Sequence, residues 1–231
     1  MSVCSINPDG ELMTLISREM SVSALQKMKK FHEELKDLFD RHDMSLLDNL
    51  GRRNILLSGA QEKYFGDELR ALYNVSNDGS TGKPDIVVTN TADSLTTEIE
   101  CKLTTRNKHG GIVFQTDHTS IVKKGKLDYL YVVADPEFEH FSVLYFKDLT
   151  SEDFQLPGKG SRGRSIMSKY KAFSKCTVLL GFYSCVNDRR IQELEEKLAG
   201  HLSPAKKRSC EKSLEFWKTA PHKYEIDLES V

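Results

Sequence analysis

Hydrophobic residues recur along the chain at two different periods, one typical of helices and one typical of strands. Between residues 18 and 42 the apolar positions are spaced by three or four, which predicts an amphipathic helix. These positions are Leu25, Met28, Phe31, Leu35 and Leu38. A short helix is expected in 44–51, and Ser58 followed by Gln61 forms a capping-box pattern that predicts a helix over about 59–73.

The middle of the chain contains short apolar or alternating runs that are rich in β-branched and aromatic residues, which predict strands. These runs are 85–89, 95–105, 126–135, 140–146 and 176–185. The first two are expected to pair as a hairpin across the turn at 90–94. Asn, Asp, Ser, Gly and Pro predict loops at 74–84 and 155–171.

The last third of the chain predicts two helices, over 187–202 and 203–220, begun by the cap residues Asn187 and Ser203. Helices before and after a run of strands indicate an α/β fold with a central mixed β-sheet flanked by helices. Because no linker interrupts the chain, we expect a single domain, 1–231. It comprises an N-terminal helical region (1–57), a core (58–186) and C-terminal helices (187–231).

Composition narrows the class of protein. The net charge of −1 does not indicate a globally basic nucleic-acid binder, although a neutral sum can hide a basic face. Five cysteines without a CxxC pair indicate reduced thiols in a cytoplasmic protein, rather than a disulfide framework or a zinc site. No apolar stretch approaches the roughly 20 residues that span a bilayer, so no membrane association is expected.

The strand predicted at 95–105 carries the candidate chemistry. Alternation places Glu98, Glu100 and Lys102 on one face and core residues such as Cys101 on the other. One interpretation is a half-buried strand with a solvated face. The other adds Asp85, which a hairpin would bring near Glu100 and Lys102. Two converging carboxylates repel unless a cation lies between them, and hard oxygen ligands suit Mg²⁺. A lysine beside them completes a site for phosphodiester hydrolysis.

Pro84-Asp85 and Glu100-Cys101-Lys102 resemble the signature of the PD-(D/E)XK nuclease superfamily. Their order along the chain is also similar: a helix, a turn-rich loop, a strand with Asp, a hairpin and a strand with ExK. The resemblance implies a restriction-endonuclease-like core in which Asp85 and Glu100 hold Mg²⁺, with Mn²⁺ as a substitute, and Lys102 positions or activates the nucleophile.

The superfamily often adds a carboxylate from the helix before the hairpin, and Glu62 and Glu68 both compete for this role. Glu62 is preferred because it is predicted to lie in the first turn of its helix, where the helix dipole favours a negative charge.

The segment after Lys102 resembles type II restriction endonucleases of the EcoRV and HincII kind, over roughly residues 58–135. The similar positions are Lys102, Thr104, Thr105, Phe114, Thr116, Thr119 and Ser120. Two departures are Leu103, which separates the lysine from the threonines, and Glu100, where those enzymes have Asp. The resemblance implies sequence-specific hydrolysis of double-stranded DNA by a homodimer, which leaves 5′-phosphate ends, and it favours blunt ends. The 18–42 helix is either a dimer element or packs on its own core.

Two loops extend the DNA-binding hypothesis. The resemblance to EcoRV-like enzymes implies that the loop before Asp85 approaches the minor groove and that the glycine-rich loop after residue 157 reads the major groove. The second loop continues into a stretch, 158–175, that holds six basic residues and no acidic one. The predicted DNA contacts are Asn77, Lys83, Thr104, Thr105, Arg106, Asn107, Lys108, His109, His118, Thr119, Ser120, Lys159, Arg162, Arg164 and Lys169.

Two other functions stay open from the sequence. One keeps the fold and changes the substrate, giving a structure-specific repair nuclease or a junction resolvase. The other is a non-catalytic DNA-binding protein with a degenerate site.

Overall fold

A seven-stranded sheet is the centre of the computed structural model of the chain, which describes residues 14–77, 80, 83–92, 94–107, 111–160 and 163–231. The helices are α1 (Arg18–Asp40), α2 (Leu50–Arg70), α3 (His118–Lys124), α4 (Lys169–Ala172), α5 (Val186–Ala199) and α6 (Pro204–Thr219). The strands are β1 (Asn74–Ser76), β2 (Ile86–Thr89), β3 (Thr96–Thr105), β4 (Gln115–Asp117), β5 (Lys126–Ala134), β6 (His140–Thr150), β7 (Arg164–Ile166), β8 (Cys176–Leu180), β9 (Phe182–Cys185), β10 (Tyr224–Asp227) and β11 (Glu229–Ser230). Short 3-10 helices cover Leu46–Asp48, Ser151–Asp153 and Phe173–Lys175.

The sheet has the order β1-β2-β3-β5-β6, and β6 also pairs with β8 and β11. β3 and β5 are parallel, whereas the other pairs are antiparallel. The sheet is therefore mixed, and the predicted α/β fold with a central mixed sheet flanked by helices is confirmed. The expected hairpin is also present, because β2 and β3 pair with Ile86 opposite Ile99.

One face of the sheet is covered by α1 and α2, which pack against each other. The predicted amphipathic helix is confirmed as α1, and Leu25 and Met28 from its apolar stripe are fully buried. Leu38, the last residue of the predicted stripe, is 43% exposed. The buried face of α1 instead includes Ala24 and His32. The apolar face of α1 is thus occupied by the protein's own core, which favours the packing interpretation of this helix over a dimer element.

The opposite face of the sheet is covered by a cluster of aromatic rings. Phe114 meets Tyr131 edge-on at 4.6 Å between ring centroids, and Phe146 contacts Phe173 at 5.4 Å. Offset and edge-to-face contacts of this kind add to the free energy gained by burying the rings. The sheet is therefore buried on both sides along β5, where all residues after Lys126 are buried.

The helix before the hairpin is longer than the sequence predicts. It begins at Leu50, where the side chain of Asn49 accepts the backbone N–H of Arg52 at 3.0 Å and acts as the N-cap. Ser58, the expected cap, lies inside the helix, and its hydroxyl donates to the carbonyl of Ile55 at 2.8 Å. A serine hydroxyl can donate to a carbonyl in the preceding turn of a helix as well as cap the start of a helix. The capping-box pattern at Ser58 therefore predicted a start that is too late in the chain.

Three other segments differ from the prediction. The run 176–185 is two strands, because Gly181 with φ +76° breaks it between β8 and β9. The expected loop at 155–171 contains β7, which pairs with β4, and the start of α4. The expected loop at 74–84 begins with β1. Strand pairing over only three residues leaves little periodic signal in a sequence.

The residues group into two compact units, whereas the sequence predicts one domain. One unit runs to Gly181 and includes Leu228–Val231, and the other is Phe182–Asp227. In the second unit β9 pairs with β10, and α5 contacts α6. Asn187 does not cap α5 but is buried inside it, where its side chain accepts the N–H of Lys223 at 2.9 Å.

The helices in the described ranges do not combine the length and the hydrophobicity that crossing a bilayer requires.

A buried arginine joins α2 to the ends of two strands. The guanidinium of Arg53 donates to the carbonyls of Pro136 and Asp135 and, at 2.7 Å, to the hydroxyl of Thr105. It also lies 5.1 Å from the centroid of the Phe138 ring. Burial lowers the pKa of Arg53 to about 10, so the group remains charged at neutral pH. Its charge is compensated by these oxygens, by the aromatic face of Phe138 and by the nearby carboxylates of Asp135 and Glu137.

We expect Arg53→Ala to lower the free energy of unfolding by about 3 kcal/mol, because it leaves a cavity and two partly buried carbonyls without their donor. The measurement is urea denaturation followed by circular dichroism. Arg52→Ala is the matched control, since Arg52 is the exposed neighbour, and its effect should stay within about 0.5 kcal/mol. Equal effects of the two substitutions would contradict a structural role for Arg53.

Candidate active site

Asp85 stands immediately before β2 and is bonded to the neighbouring strand. Its Oδ2 accepts the backbone N–H of Cys101 at 2.7 Å. In the β2–β3 register Ile86 lies opposite Ile99, so the first residue of β2 is next to the part of β3 that carries Cys101. The hydrogen bond uses one of the two carboxylate oxygens and fixes the position of the group.

Glu100 and Lys102 lie on the face of β3 that points away from α2. Ile99 and Cys101 are buried in the core beneath α2, and strand alternation directs their neighbours to the other face. Nζ of Lys102 donates to Oε1 of Glu100 at 2.6 Å. Burial alone would lower the pKa of Lys102, but the carboxylates of Glu100 and Asp85 outweigh it and raise that pKa. The ammonium group is therefore charged at neutral pH and acts as a donor.

Glu62 contributes a third carboxylate from α2. Burial, followed by the negative charge of Asp85, raises the pKa of Glu62 to about 7, while Lys102 acts in the opposite direction. The expected position in the first helical turn is wrong, because α2 begins at Leu50 and Glu62 lies well inside it. Its approach to the hairpin depends on the packing of α2 over β3, not on the helix dipole.

The competing carboxylate, Glu68, is bound elsewhere. Its Oε1 accepts from Nζ of Lys27 at 2.5 Å and from the hydroxyl of Ser23 at 2.7 Å, both on α1. These donors lower the pKa of Glu68 even though burial acts to raise it. The structure therefore brings Glu62, and not Glu68, near Asp85, Glu100 and Lys102.

Asn77 holds α2 and the hairpin together beside the site. Its side-chain amide donates to the backbone carbonyls of Glu62 and Asp85, both at 3.2 Å. A Cβ at Gly66 would lie 2.9 Å from Oδ1 of Asn77, so the close approach requires glycine. Asn77 was predicted to contact DNA, but its amide is engaged within the protein. An isolated glycine inside a helix was the sequence signal for this contact.

The donor set suits a hard divalent cation. Asp85, Glu100 and Glu62 provide carboxylate oxygens, and burial together with Glu100 raises the pKa of Asp85, as expected for negative charges gathered without a cation. The oxygens of these three residues do not all lie within 4.8 Å of one another. Mg²⁺ is commonly held by one or two carboxylates and keeps several waters, so it does not require all three groups to converge on one point. Asp85 and Glu100 are the residues that would hold it.

Two threonines predicted to contact DNA lie on opposite faces of β3. Thr104 shares the face of Lys102, and its hydroxyl donates to the carbonyl of Val113 at 3.3 Å. Thr105 faces α2, where it is hydrogen-bonded to Arg53 and to Asn54. A DNA contact by the Thr105 side chain does not agree with this arrangement, and its role is to satisfy the buried arginine.

Asn107 and Gly111, which lie after β3, are hydrogen-bonded to each other. Asn107 donates its N–H to the carbonyl of Gly111 and accepts the N–H of Gly111 at Oδ1, both at 2.9 Å. The backbone N–H of Arg106 donates to the carbonyl of Ala134 at 3.2 Å. Lys108 and His109 lie outside the described residues.

Residues at the start of α3 are hydrogen-bonded to β7 and to the helix's own first turn. The ring of His118 is hydrogen-bonded to the hydroxyl of Ser165 at 3.0 Å, and Asp117 caps the helix by accepting the N–H of Ser120 at 2.8 Å. Thr119 is exposed. These contacts join α3 to β7, which belongs to the basic segment.

Some of the basic residues that were predicted to contact DNA are exposed, and one is hydrogen-bonded within the protein. Lys83, Lys159 and Arg164 are exposed. Lys169 instead donates to the carbonyl of Ile112 at 2.8 Å and lies 5.4 Å from the Phe114 ring centroid, and burial lowers its pKa. Its contact with DNA stays a prediction, and in the structure its ammonium group is bound within the protein. Arg162 lies outside the described residues.

No family model matches the chain, and comparisons with curated proteins and with solved structures likewise find no match.

We expect the free energy of unfolding of the metal-free protein to fall between about pH 4.5 and pH 7, and to fall less in Glu62→Gln. The pKa of folded Glu62 is about 7, above its ordinary 4.5, so the folded state retains a proton that the unfolded state has released. The resulting stabilisation is complete below the unfolded pKa and is lost as the pH rises through 7. Since the side chain is partly exposed, the loss should be about 1 kcal/mol.

The measurement is urea denaturation in EDTA at a series of pH values. Glu68→Gln is the matched control, because Glu68 lies on the same helix and is held by Lys27. A pH dependence that is identical in the wild type and in Glu62→Gln would contradict the raised pKa of Glu62.

Proposed function

We propose that the chain is a Mg²⁺-dependent endonuclease that hydrolyses double-stranded DNA, with the site formed by Asp85, Glu100, Lys102 and Glu62. The observation that carries the proposal is the hydrogen bond from Cys101 to Asp85, which places Asp85 beside the face of β3 that bears Glu100 and Lys102. The order of helix, Asp-bearing strand and ExK-bearing strand agrees with the resemblance to PD-(D/E)XK nucleases.

The side chains divide the work of phosphodiester hydrolysis. Mg²⁺, held by Asp85 and Glu100, would supply Lewis-acid stabilisation of the phosphate and of an attacking water. The Lys102 ammonium donates hydrogen bonds to the phosphate oxygen on which charge develops. Glu62, with a pKa of about 7, is suited to accept the proton of the water near neutral pH.

The reaction replaces one phosphorus–oxygen bond by another. The water oxygen attacks phosphorus, the bond to the 3′ oxygen breaks, and that oxygen leaves as a 3′-hydroxyl. The product keeps a 5′-phosphate. The more specific proposal is a type II restriction endonuclease acting as a homodimer on a palindromic site, where twofold symmetry of protein and DNA correspond.

We expect Asp85→Asn and Lys102→Ala each to lower the rate of DNA cleavage by at least about 1,000-fold while DNA binding in Ca²⁺ is kept. Asp85→Asn retains an oxygen that can accept the Cys101 N–H, so the hairpin is preserved. The control is Glu98→Gln, since Glu98 lies on the same strand face but is paired with Lys124. Cleavage at the wild-type rate by either variant would refute the site.

The substrate class is tested on plasmid and branched DNA in Mg²⁺. Discrete plasmid fragments with a common end sequence are expected for a restriction endonuclease. Preference for a four-way junction would support the alternative of a repair nuclease or resolvase. DNA binding without any metal-dependent nicking would overturn the proposal in favour of a non-catalytic protein.

Exposed cations of the basic segment should contribute to DNA affinity through phosphates. We expect Lys159→Ala and Arg164→Ala each to weaken binding and to reduce the slope of log K against log salt by about 0.9, the value for one phosphate contact on duplex DNA. The measurement is fluorescence anisotropy over a salt series. Lys30→Ala is the control, because Lys30 is an exposed cation on α1, away from β7. An equal slope for all variants would exclude this segment from the DNA interface.

A further inference from the structure

Three potential metal ligands converge within the unit 182–227, where β9 leads into α5. The sulfur of Cys185, a carboxylate oxygen of Asp188 and a ring nitrogen of His222 all lie within 4.8 Å of one another. Among the described residues no other group of three His, Cys, Asp or Glu side chains is this close. Cys185 is half-buried, whereas Asp188 and His222 are exposed.

The local fold sets the positions of these three residues. Cys185 is the N-cap residue of α5, and Asp188 lies in the first turn of the same helix. His222 lies two residues before Tyr224, which pairs with Cys185 in the β9–β10 ladder. The N–H of Val186 also donates to the carbonyl of Lys223 at 2.8 Å.

A buried side chain holds the same junction from inside. Asn187 accepts the N–H of Lys223 and donates to the carbonyls of Trp217 and Ala220 at 3.2 and 3.1 Å. The segment that carries His222 is therefore bound to the first turn of α5 on both sides of the histidine.

The donor types select the cation. A thiolate, an imidazole and a carboxylate suit Zn²⁺, whereas Mg²⁺ prefers oxygen ligands alone. Tetrahedral Zn²⁺ ligands lie about 3.6 Å apart, given bond lengths of 2.0–2.3 Å, so any two of these atoms at the 4.8 Å limit would move about 1 Å closer on binding. A fourth ligand would be water or a donor from a bound molecule.

The small core of this unit is a second, independent observation. All residues of 182–227 are described, and Val186, Asn187 and Ile226 are its only buried residues. None of the residues of α6 is buried. Units of this size rarely bury enough apolar surface to be stable, and a structural metal is one of the usual supplements.

We propose that Cys185, Asp188 and His222 bind one Zn²⁺ ion, which fastens the β9–α5 junction to the segment before β10. The site is separate from the carboxylates of Asp85 and Glu100, so the inference does not depend on the proposed nuclease function. No sequence motif indicates this site, because the ligands form no CxxC pair and His222 is distant from Cys185 along the chain.

The test is titration of the chelator-treated full chain with Co²⁺, a spectroscopic substitute for Zn²⁺. We expect one thiolate-bound Co²⁺ per chain, seen as a saturable thiolate-to-cobalt charge-transfer band, and loss of that band when Zn²⁺ displaces the ion. Cys185→Ser should abolish the band. Asp188→Asn and His222→Asn should lower Zn²⁺ affinity at least about 100-fold.

Matched controls are Cys210→Ser and His201→Asn, which change the same residue types in the same unit and should leave Zn²⁺ binding unchanged. Asp85→Asn should also leave it unchanged, so a failure of the nuclease proposal is distinguishable from a failure here. Absence of stoichiometric Zn²⁺ binding, or a charge-transfer band that persists in Cys185→Ser, would overturn the proposal. Because Asp188 is exposed, Asp188→Asn reports on the site even if Cys185→Ser does not fold.

Discussion

The candidate active site depends on one constraint, the packing of α2 against β3. Burial of Ile99 and Cys101 beneath Leu57 and Phe65 fixes which face of β3 points inward. A strand has a side-chain period of two, so Glu100 and Lys102, which alternate with Ile99 and Cys101, lie on the other face. A register slip of one residue would bury Glu100, and the desolvation of its carboxylate excludes that alternative.

The packing of α2 against β3 also shifts the pKa values of the carboxylates in the site. α2 brings Glu62 toward Asp85, and the partial burial of both carboxylates raises the pKa of each. Lys102 offsets part of this repulsion through Glu100, with which it is paired at 2.6 Å. A group of carboxylates that is kept together without full charge compensation is suited to a divalent cation and costs stability when none is bound. Asn77 maintains the group by bonding the carbonyls of both Glu62 and Asp85.

The two units rely on different sources of stability. The large unit has apolar cores on both faces of its sheet, supplemented by the buried guanidinium of Arg53. The unit 182–227 has few buried residues. The hydrogen bonds of Asn187 join the first turn of α5 to the end of α6 and to the segment before β10. A network of this kind specifies one geometry, because each buried donor and acceptor requires its partner.

The sequence by itself determined the elements with strong periodicity and the residues of one motif. The stripe of α1, the β2–β3 hairpin, β5 and β6 follow from local patterns, as does the alternation that separates Cys101 from Glu100 and Lys102. Such features depend on neighbours within a few positions along the chain, and these are visible in a sequence.

Only the tertiary structure decided which distant groups meet. It selected Glu62 over Glu68, because the donors of Glu68 lie on α1. It also assigned Asn77, Thr105 and Lys169 to contacts within the protein, and it gathered Cys185, Asp188 and His222. The physical reason is that hydrogen bonds and charge interactions act over a few ångströms in space, whereas the sequence reports separation along the chain.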